Sequence, residues 1–290
     1  MALEKLSPCK VNLLLNILGK RPDGFHDLET VMYPVRIYDR LLFSVGGHGI
    51  QLTCNEPSLP TDSGNLVYRA ADLFCKAAQL TVGVRLELEK RIPLAAGLGG
   101  GSANAATTLL GLNELFQQPL PPARLQELAA SLGSDVPFFL QAKPALGTGR
   151  GEKIQPLGDL PSLNGCVLLL IHPGFGIATA WAYQQLVNFP NVLNGRAGRA
   201  STLISLLRSS DLKTAASEFY NSLEAPAFRK YPLLLLFQEF LRENGAVATL
   251  MSGSGSTTFA VVQSQSAAET LGERFRGEFS DRNWMAIVPA

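Results

Sequence analysis

The sequence predicts an α+β chain of two domains. Three observations carry that expectation: strand-like alternation opens the chain, helical patterns follow it, and a turn-rich stretch near residue 150 separates two runs of mixed elements. With 290 residues, 46% of them hydrophobic, the chain can bury a sizeable core, and its length suits one large domain or two. The expected domains are 1–152 and 153–290.

Residues 6–18 alternate. Cys9, Val11, Leu13, Leu15 and Ile17 fall on one face, and Pro8, Lys10, Asn12, Leu14 and Asn16 on the other. This is a strand with one apolar and one mixed face, on which Lys10 and Asn12 point the same way. Val31–Val45 and Val82–Leu88 are further strands; in the second, Val82, Val84, Leu86 and Leu88 alternate with Arg85, Glu87 and Glu89. Helical patterns occupy 65–79, 102–116 and 123–132, the last following Pro121-Pro122 and burying Leu125, Leu128, Ala129 and Leu132. Then come the turns Gly147-Thr148-Gly149-Arg150-Gly151 and Gly158–Gly165. Beyond them the pattern reads strand (166–171), helix (178–187), helices (200–209 and 232–243), strands (246–251 and 256–262), helix (265–276) and strand (283–288). Asn188–Ala200 is polar and rich in Gly and Asn, which predicts an exposed loop. There is no internal repeat.

Bulk composition narrows the partners. A net charge of +1 with 17% charged residues argues against general capture of nucleic acid and favours a small, defined ligand. Cys9, Cys54, Cys75 and Cys166 are scattered without a C-x-x-C pair, as expected of reduced thiols in a cytoplasmic protein. Three histidines leave little material for a His-based metal site. The N-terminus has no apolar signal-like region, and runs such as Val167–Ile171 and Leu233–Phe237 are too short to span a bilayer.

The most informative segment is Ile92-Pro93-Leu94-Ala95-Ala96-Gly97-Leu98-Gly99-Gly100-Gly101-Ser102-Ala103-Asn104. Its glycines lie between a strand-like and a helix-like stretch. Glycine permits positive φ and close approach of a ligand, while the following helix offers free N–H groups and a positive dipole end. Together these form a phosphate cradle. A Walker A loop requires a Lys after the glycines, and none follows. A dinucleotide fingerprint requires G-x-G-x-x-G directly after the first strand, whereas here Ser102 breaks the spacing and the loop lies far into the chain.

Pro93–Ala106 closely resembles the glycine loop of the GHMP kinases. Leu6-Ser7-Pro8-Cys9-Lys10-Val11-Asn12-Leu13 is similar to that family's first motif, and Leu250-Met251-Ser252-Gly253-Ser254-Gly255-Ser256 to its third. Arg21-Pro22-Asp23-Gly24-Phe25-His26, Leu132-Gly133-Ser134-Asp135-Val136-Pro137-Phe138 and Ile171-His172-Pro173-Gly174 resemble the branch that acts on a cytidine-diphosphate-linked methylerythritol. The likeness runs from about residue 6 to 262. It implies the family's two-domain fold, with an N-terminal ribosomal-protein-S5-like domain and a C-terminal ferredoxin-like domain. It also implies transfer of the γ-phosphoryl of ATP, with Mg²⁺, to a tertiary 2-hydroxyl in the non-mevalonate route to isoprenoids. A monomer or weak homodimer is expected, with no nucleic-acid or membrane partner.

The resemblance assigns roles to particular residues. Asp135 matches the catalytic base; read from chemistry alone, it is a helix N-cap for Val136–Leu140. Lys10 would pair with Asp135, keep it ionised and polarise the acceptor hydroxyl. Asn12, His26, Thr179 and Tyr183 match substrate-binding positions, with His26 reading the cytosine, Phe25 stacking on one side and Tyr183 or Trp181 on the other. Phe25 stands where Tyr is usual, a change that keeps the π face and loses a hydroxyl. ATP falls to Pro93, Ala95, Ala96, Gly97, Leu98, Gly99, Gly100, Gly101, Ser102 and Ala103, with Asn65, Leu66 and Lys90 around the nucleoside. Ser102 would reach a phosphate oxygen or Mg²⁺, and otherwise caps its helix. Asn65, preceding a helix, is also read as a cap. Gly253–Gly255 would shape the substrate side and touch the glycine loop. Cys9, Ala103 and Ser256 depart from the usual Ala, Ser and Pro without removing a chemical group. A mevalonate- or homoserine-type kinase and a catalytically silent nucleotide-binding protein of the same fold remain as alternatives.

Overall fold

The computed structural model describes residues 2–209 and 211–290. The chain forms two compact units that interleave in sequence: residues 1–9, 37–92 and 99–143 make the first, and residues 10–36, 93–98 and 144–290 the second. The long strands β1 (Ala2–Lys20) and β2 (His26–Val45) contribute to both. Along the chain, the last change from the first unit to the second falls between residues 143 and 144, just before the strand Ala145–Gly149.

In the first unit, β3 (Ile50–Cys54) runs parallel to β4 (Val84–Glu89), and β4 pairs antiparallel with Arg40–Val45 of β2. Between these strands come α1 (Leu66–Ala77), after β4 α2 (Gly100–Leu115) and α3 (Pro122–Leu132), and then the single-turn α4 (Val136–Phe139). The alternation expected here holds from Val84 onward, with Val84, Leu86 and Leu88 buried and Arg85 and Glu87 exposed; Val82 lies before the strand and is exposed. Helix α2 is buried almost all round from Ala103 to Leu109, which its small residues allow. Gly111 shows how close the packing is. A Cβ there would lie 2.5 Å from the Phe43 ring, so only glycine lets the helix approach β2.

The second unit carries β5 (Ala145–Gly149), which pairs antiparallel with Leu28–Met32 and forms a hairpin with β6 (Lys153–Pro156). It continues with β7 (Val167–His172), α5 (Thr179–Gln185), α6 (Pro190–Leu193), α7 (Arg199–Arg208) and α8 (Leu212–Ala216). Next are β8 (Tyr220–Asn221), parallel to β1 at Leu14–Leu15, α9 (Glu224–Lys230) and α10 (Leu233–Glu243). The chain ends with β9 (Ala248–Met251), β10 (Thr258–Val262), α11 (Gln265–Phe279) and β11 (Trp284–Pro289). Among the described residues β7, β9, β10 and β11 form an antiparallel sheet in the order β11-β7-β10-β9. With α10 before β9 and α11 before β11, this is the β-α-β-β-α-β arrangement of ferredoxin-like domains. Its core joins Leu169, Ile171 and Ala260 to Phe237 and Phe275, whose rings meet edge to face at 4.7 Å.

The mixed face of β1 is buried: Lys10 and Asn12 are each only 3% exposed, and Leu14 and Asn16 are fully buried. One local expectation changes. Asn188–Ala200 is largely exposed, yet it holds α6 and is tied down by buried side chains. Asn16 donates to the Arg196 carbonyl at 2.8 Å, and the Glu29 carboxylate accepts from the N–H groups of Gly198 and Ala200, each at 3.2 Å. Glu29 thereby satisfies backbone donors at the start of α7.

Candidate functional site

In the second unit β1 places Lys10 and Asn12 two residues apart on one face, as its alternation requires. The Lys10 ammonium donates to Asn12 Oδ1 at 2.5 Å and to the Gly97 carbonyl at 3.1 Å. Asn12 Nδ2 donates to Thr30 Oγ1 at 2.8 Å, and Thr30 Oγ1 to the Leu14 carbonyl at 2.6 Å, which fixes the amide orientation. A buried ammonium is costly without acceptors. Among the acceptors here are a strand neighbour and the glycine loop itself.

The first half of the loop is clamped to the third glycine turn. Ser252 Oγ donates to Gly97 O at 3.0 Å, Thr257 N donates to Ala96 O at 3.1 Å, and Lys10 N donates to Leu98 O at 3.0 Å. Gly97 has a φ of 76°, and a Cβ on it would lie 2.0 Å from Ser252 O. No other residue fits there. Asn221 Nδ2 braces the turn through Met251 O at 2.7 Å and Gly253 O at 2.8 Å. Ser256 donates to Phe175 O and meets His172 Nδ1 at 3.2 Å, linking the turn to the His172-Pro173-Gly174 segment. The expected contact of Gly253–Gly255 with the loop is therefore present.

Just before this turn, the mostly buried Glu224 carboxylate accepts from Met251 N at 2.8 Å and from Gln238 Nε2 at 2.6 Å. Burial raises its pKa to about 7, against the lowering pull of those hydrogen bonds and of Arg242. Because the folded-state pKa lies above the unfolded one, stability is fullest below about pH 4.5 and falls as pH rises through about 7. Glu224→Gln is expected to stabilise the protein by roughly 1 to 2 kcal/mol at pH 8 and to lose that advantage at pH 5. Thermal melts of both proteins across that range check it; a pH-independent difference would refute the assignment.

The Arg21–Phe25 turn projects Phe25 outward. Gly24, with a φ of 85°, closes it by an N–H bond to the Arg21 carbonyl at 3.1 Å. Phe25 is 50% exposed, and the Arg150 guanidinium lies 4.5 Å from its ring centroid. His26 is buried beside Tyr183, with ring centroids 5.3 Å apart. Burial, with a smaller contribution from Lys20, lowers its pKa. The imidazole is therefore neutral at pH 7 and offers one donor and one acceptor. Helix α5 decides between the two aromatic candidates. Thr179 and Tyr183 are four residues apart on one face, and Thr179 Oγ1 meets Ser254 Oγ at 2.9 Å. Trp181 points elsewhere, packing edge-on to Tyr231 with the Lys230 ammonium 4.2 Å above its ring. Tyr183, not Trp181, stands with His26.

In the first unit Gly99, with a φ of 71°, is the N-cap of α2 and supplies no side chain. The N–H groups of Gly100, Gly101 and Ser102 lack i−4 partners at this helix start, so the helix presents donors and its dipole. Ser102 lies inside the first turn, so it is not the cap. Leu66 flanks the same turn, its Cδ1 3.6 Å from where a Gly101 Cβ would sit. Asn65 has the geometry of a cap: its Oδ1 accepts from Val67 N at 2.9 Å and its Nδ2 donates to Pro60 O at 2.8 Å. The Lys90 ammonium pairs with the buried Asp39 carboxylate and donates to Asn104 Oδ1 at 3.1 Å. Asp135 precedes α4 with α-helical φ and ψ, and its side chain makes no capping bond. The cap alternative is removed by that geometry. Val136, Pro137, Phe138 and Phe139, all buried, hold the half-buried Asp135 in place.

Sequence reading overlooked Asp39, Asn104, Thr30 and Asn221. Asp39 did leave a signal, since it shares the alternation of Val35, Leu41 and Phe43, where a carboxylate is out of place unless partnered.

The family of GHMP kinases N terminal domains matches residues 65–143, and that of GHMP kinases C terminal domains matches residues 203–281. A 4-diphosphocytidyl-2-C-methyl-D-erythritol kinase of a Synechococcus sp. is 40% identical over 283 residues, covering 95% of this chain and 90% of that protein. The kinase of the same name from Pelotomaculum thermopropionicum is 40% identical over 277 residues, covering 95% and 94%. A crystal structure of 4-(cytidine 5'-diphospho)-2C-methyl-D-erythritol kinase matches with a TM-score of 0.79 at 34% identity, over 99% of this chain and 100% of that one.

Proposed function

The chain belongs to the GHMP kinase family, and from that premise we propose that it phosphorylates 4-diphosphocytidyl-2-C-methyl-D-erythritol. It transfers the γ-phosphoryl group of ATP to the 2-hydroxyl, yielding the 2-phosphate and ADP in isoprenoid precursor synthesis. The observation that carries this reading is 40% identity, across 95% of the chain, to kinases bearing that name.

The residues divide the work as follows. Pro93–Ala103 and the start of α2 hold the triphosphate of ATP, with Leu66 beside the nucleoside. Asp135 takes the proton of the acceptor hydroxyl, and Lys10 offsets charge developing in transfer. His26 reads the cytosine edge, Phe25 and Tyr183 flank it, and Asn12 and Thr179 line the acceptor side. Among the described residues no group of three or more His, Cys, Asp or Glu could hold a metal ion. That donor set fits a Mg²⁺ carried chiefly by the nucleotide phosphates and water, with Ser102 as its protein ligand, and the ion would supply neutralisation of β- and γ-phosphate charge. No helix among the described residues is long and apolar enough to cross a membrane. We place the enzyme in the cytoplasm, as a monomer or weak homodimer.

Purified protein incubated with ATP, Mg²⁺ and a panel of alcohols, with ADP release followed, tests the assignment. Turnover of the cytidylylated methylerythritol is expected; turnover of mevalonate or homoserine alone would overturn it. His26→Ala is expected to raise KM for the cytidylylated substrate by about tenfold or more, since a buried recognition pair is lost, and to leave ATP affinity unchanged. Weakened ATP binding in that variant would mean that the two pockets are exchanged.

A further inference from the structure

We propose that Asp39 is a positioning residue for the nucleotide: its carboxylate fixes both ends of the glycine loop at once, so the loop keeps the shape that binds ATP. The proposal rests on the reading that this loop holds ATP.

Asp39 is completely buried, and both its oxygens are used. Oδ1 accepts from the backbone N–H groups of Arg91 at 2.8 Å and Ile92 at 2.9 Å. Oδ2 accepts from the Lys90 ammonium and from Asn104 Nδ2 at 2.9 Å. Asn104 Nδ2 also lies 3.0 Å from Ser7 Oγ, and Asn104 Oδ1 accepts from Lys90. Ile92 is the last residue before the loop, and Asn104 lies one turn into the helix that follows it. One carboxylate therefore holds the entry and the exit of the loop together.

Position matters here because the loop cannot define its own shape. Gly97 and Gly99 take positive φ, and glycine-rich backbone has more freedom to lose on ordering than any other. Binding tightens when the ends are fixed beforehand, since less ordering remains for the ligand to cause. The Lys90 ammonium also sits close under the first turn of α2, 3.2 Å from where a Gly100 Cβ would be. Burying a charged pair is a poor route to stability alone, because apolar residues of the same volume do as well. A group that holds the loop's shape explains why a carboxylate stands at this core position.

The test measures ATP affinity by calorimetry, KM for ATP and for the acceptor, and Tm, in the wild type and three variants. Asp39→Asn turns one accepting oxygen into a donor facing Lys90 and Asn104. It is expected to raise Kd and KM for ATP by about 10- to 100-fold, as a small misplacement of a binding group does, with the acceptor KM unchanged. Asn104→Ala keeps a good helix former and cuts only the exit tie; about a tenfold rise in Kd is expected. The exchange Asp39→Asn with Asn104→Asp restores every donor to an acceptor, with Ser7 then donating, and is expected to recover most of the lost affinity. Should Asp39→Asn not fold, the other two variants decide. Folded variants with wild-type ATP affinity and only a lower Tm would overturn the proposal and leave the kinase reading intact. A wild-type protein that binds no ATP would overturn both.

Discussion

Asp135→Asn lowers kcat by about 10²-fold or more, the range for removing a general base, with Tm unchanged. The substitution separates the two readings of this residue. Asn caps a helix as well as Asp does, so a residue that served only as a cap would tolerate the exchange. The structure supplies no capping bond to preserve: Asp135 has α-helical φ and ψ, and its side chain makes no cap hydrogen bond. What the change removes is the carboxylate's ability to accept a proton. The buried Val136–Phe139 turn, with Phe138 and Phe139 edge to face at 5.0 Å, keeps the backbone in place in either variant. Steady-state kinetics and a thermal melt check the expectation; near-wild-type kcat in a folded variant would remove Asp135 from the chemistry.

Lys10→Met is expected to reduce kcat by about 10²- to 10³-fold, the cost of deleting a charged donor from a preorganised site. Methionine nearly matches the length and apolar volume of the lysine stem, so packing along β1 is preserved. The charge is lost where it counts most, because at 3% exposure water screens it poorly. A second effect follows from the loop. Gly97 O loses the ammonium as a donor and keeps Ser252 Oγ, so KM for ATP rises along with the fall in kcat. Asn12 Oδ1 also loses its donor, a cost of about 1 to 3 kcal/mol that a melt reads as a lower Tm. Activity within a few-fold of the wild type would show that the ammonium only packs.

Much of the fold was legible in the chain. The alternation of residues 6–18 lies inside β1, the patterns at 65–79, 102–116 and 123–132 are α1, α2 and α3, and the order of the last strands and helices stands as read. They are legible because a strand or helix repeats its apolar positions within a few residues, and that repeat is written locally. Shorter pieces escaped, among them β3, β5, β6 and β8. Asn188–Ala200 looked loop-like by composition, and nothing local reveals that Asn16 and Glu29 bind it.

The site divides along the same line. Lys10 and Asn12 on one face, the glycines before a small-residue helix, and Thr179 and Tyr183 one turn apart were determined by the sequence itself, since each depends only on backbone periodicity or on glycine's freedom of φ. The tertiary structure alone decided that Gly97 O meets Ser252 and Lys10, that Tyr183 rather than Trp181 faces His26, that Asn65 is a cap and Asp135 is not, and that Asp39 ties Ile92 to Asn104. Those contacts join residues far apart in the chain. They follow from how strands register and helices pack as the core closes, and no local repeat encodes that closure.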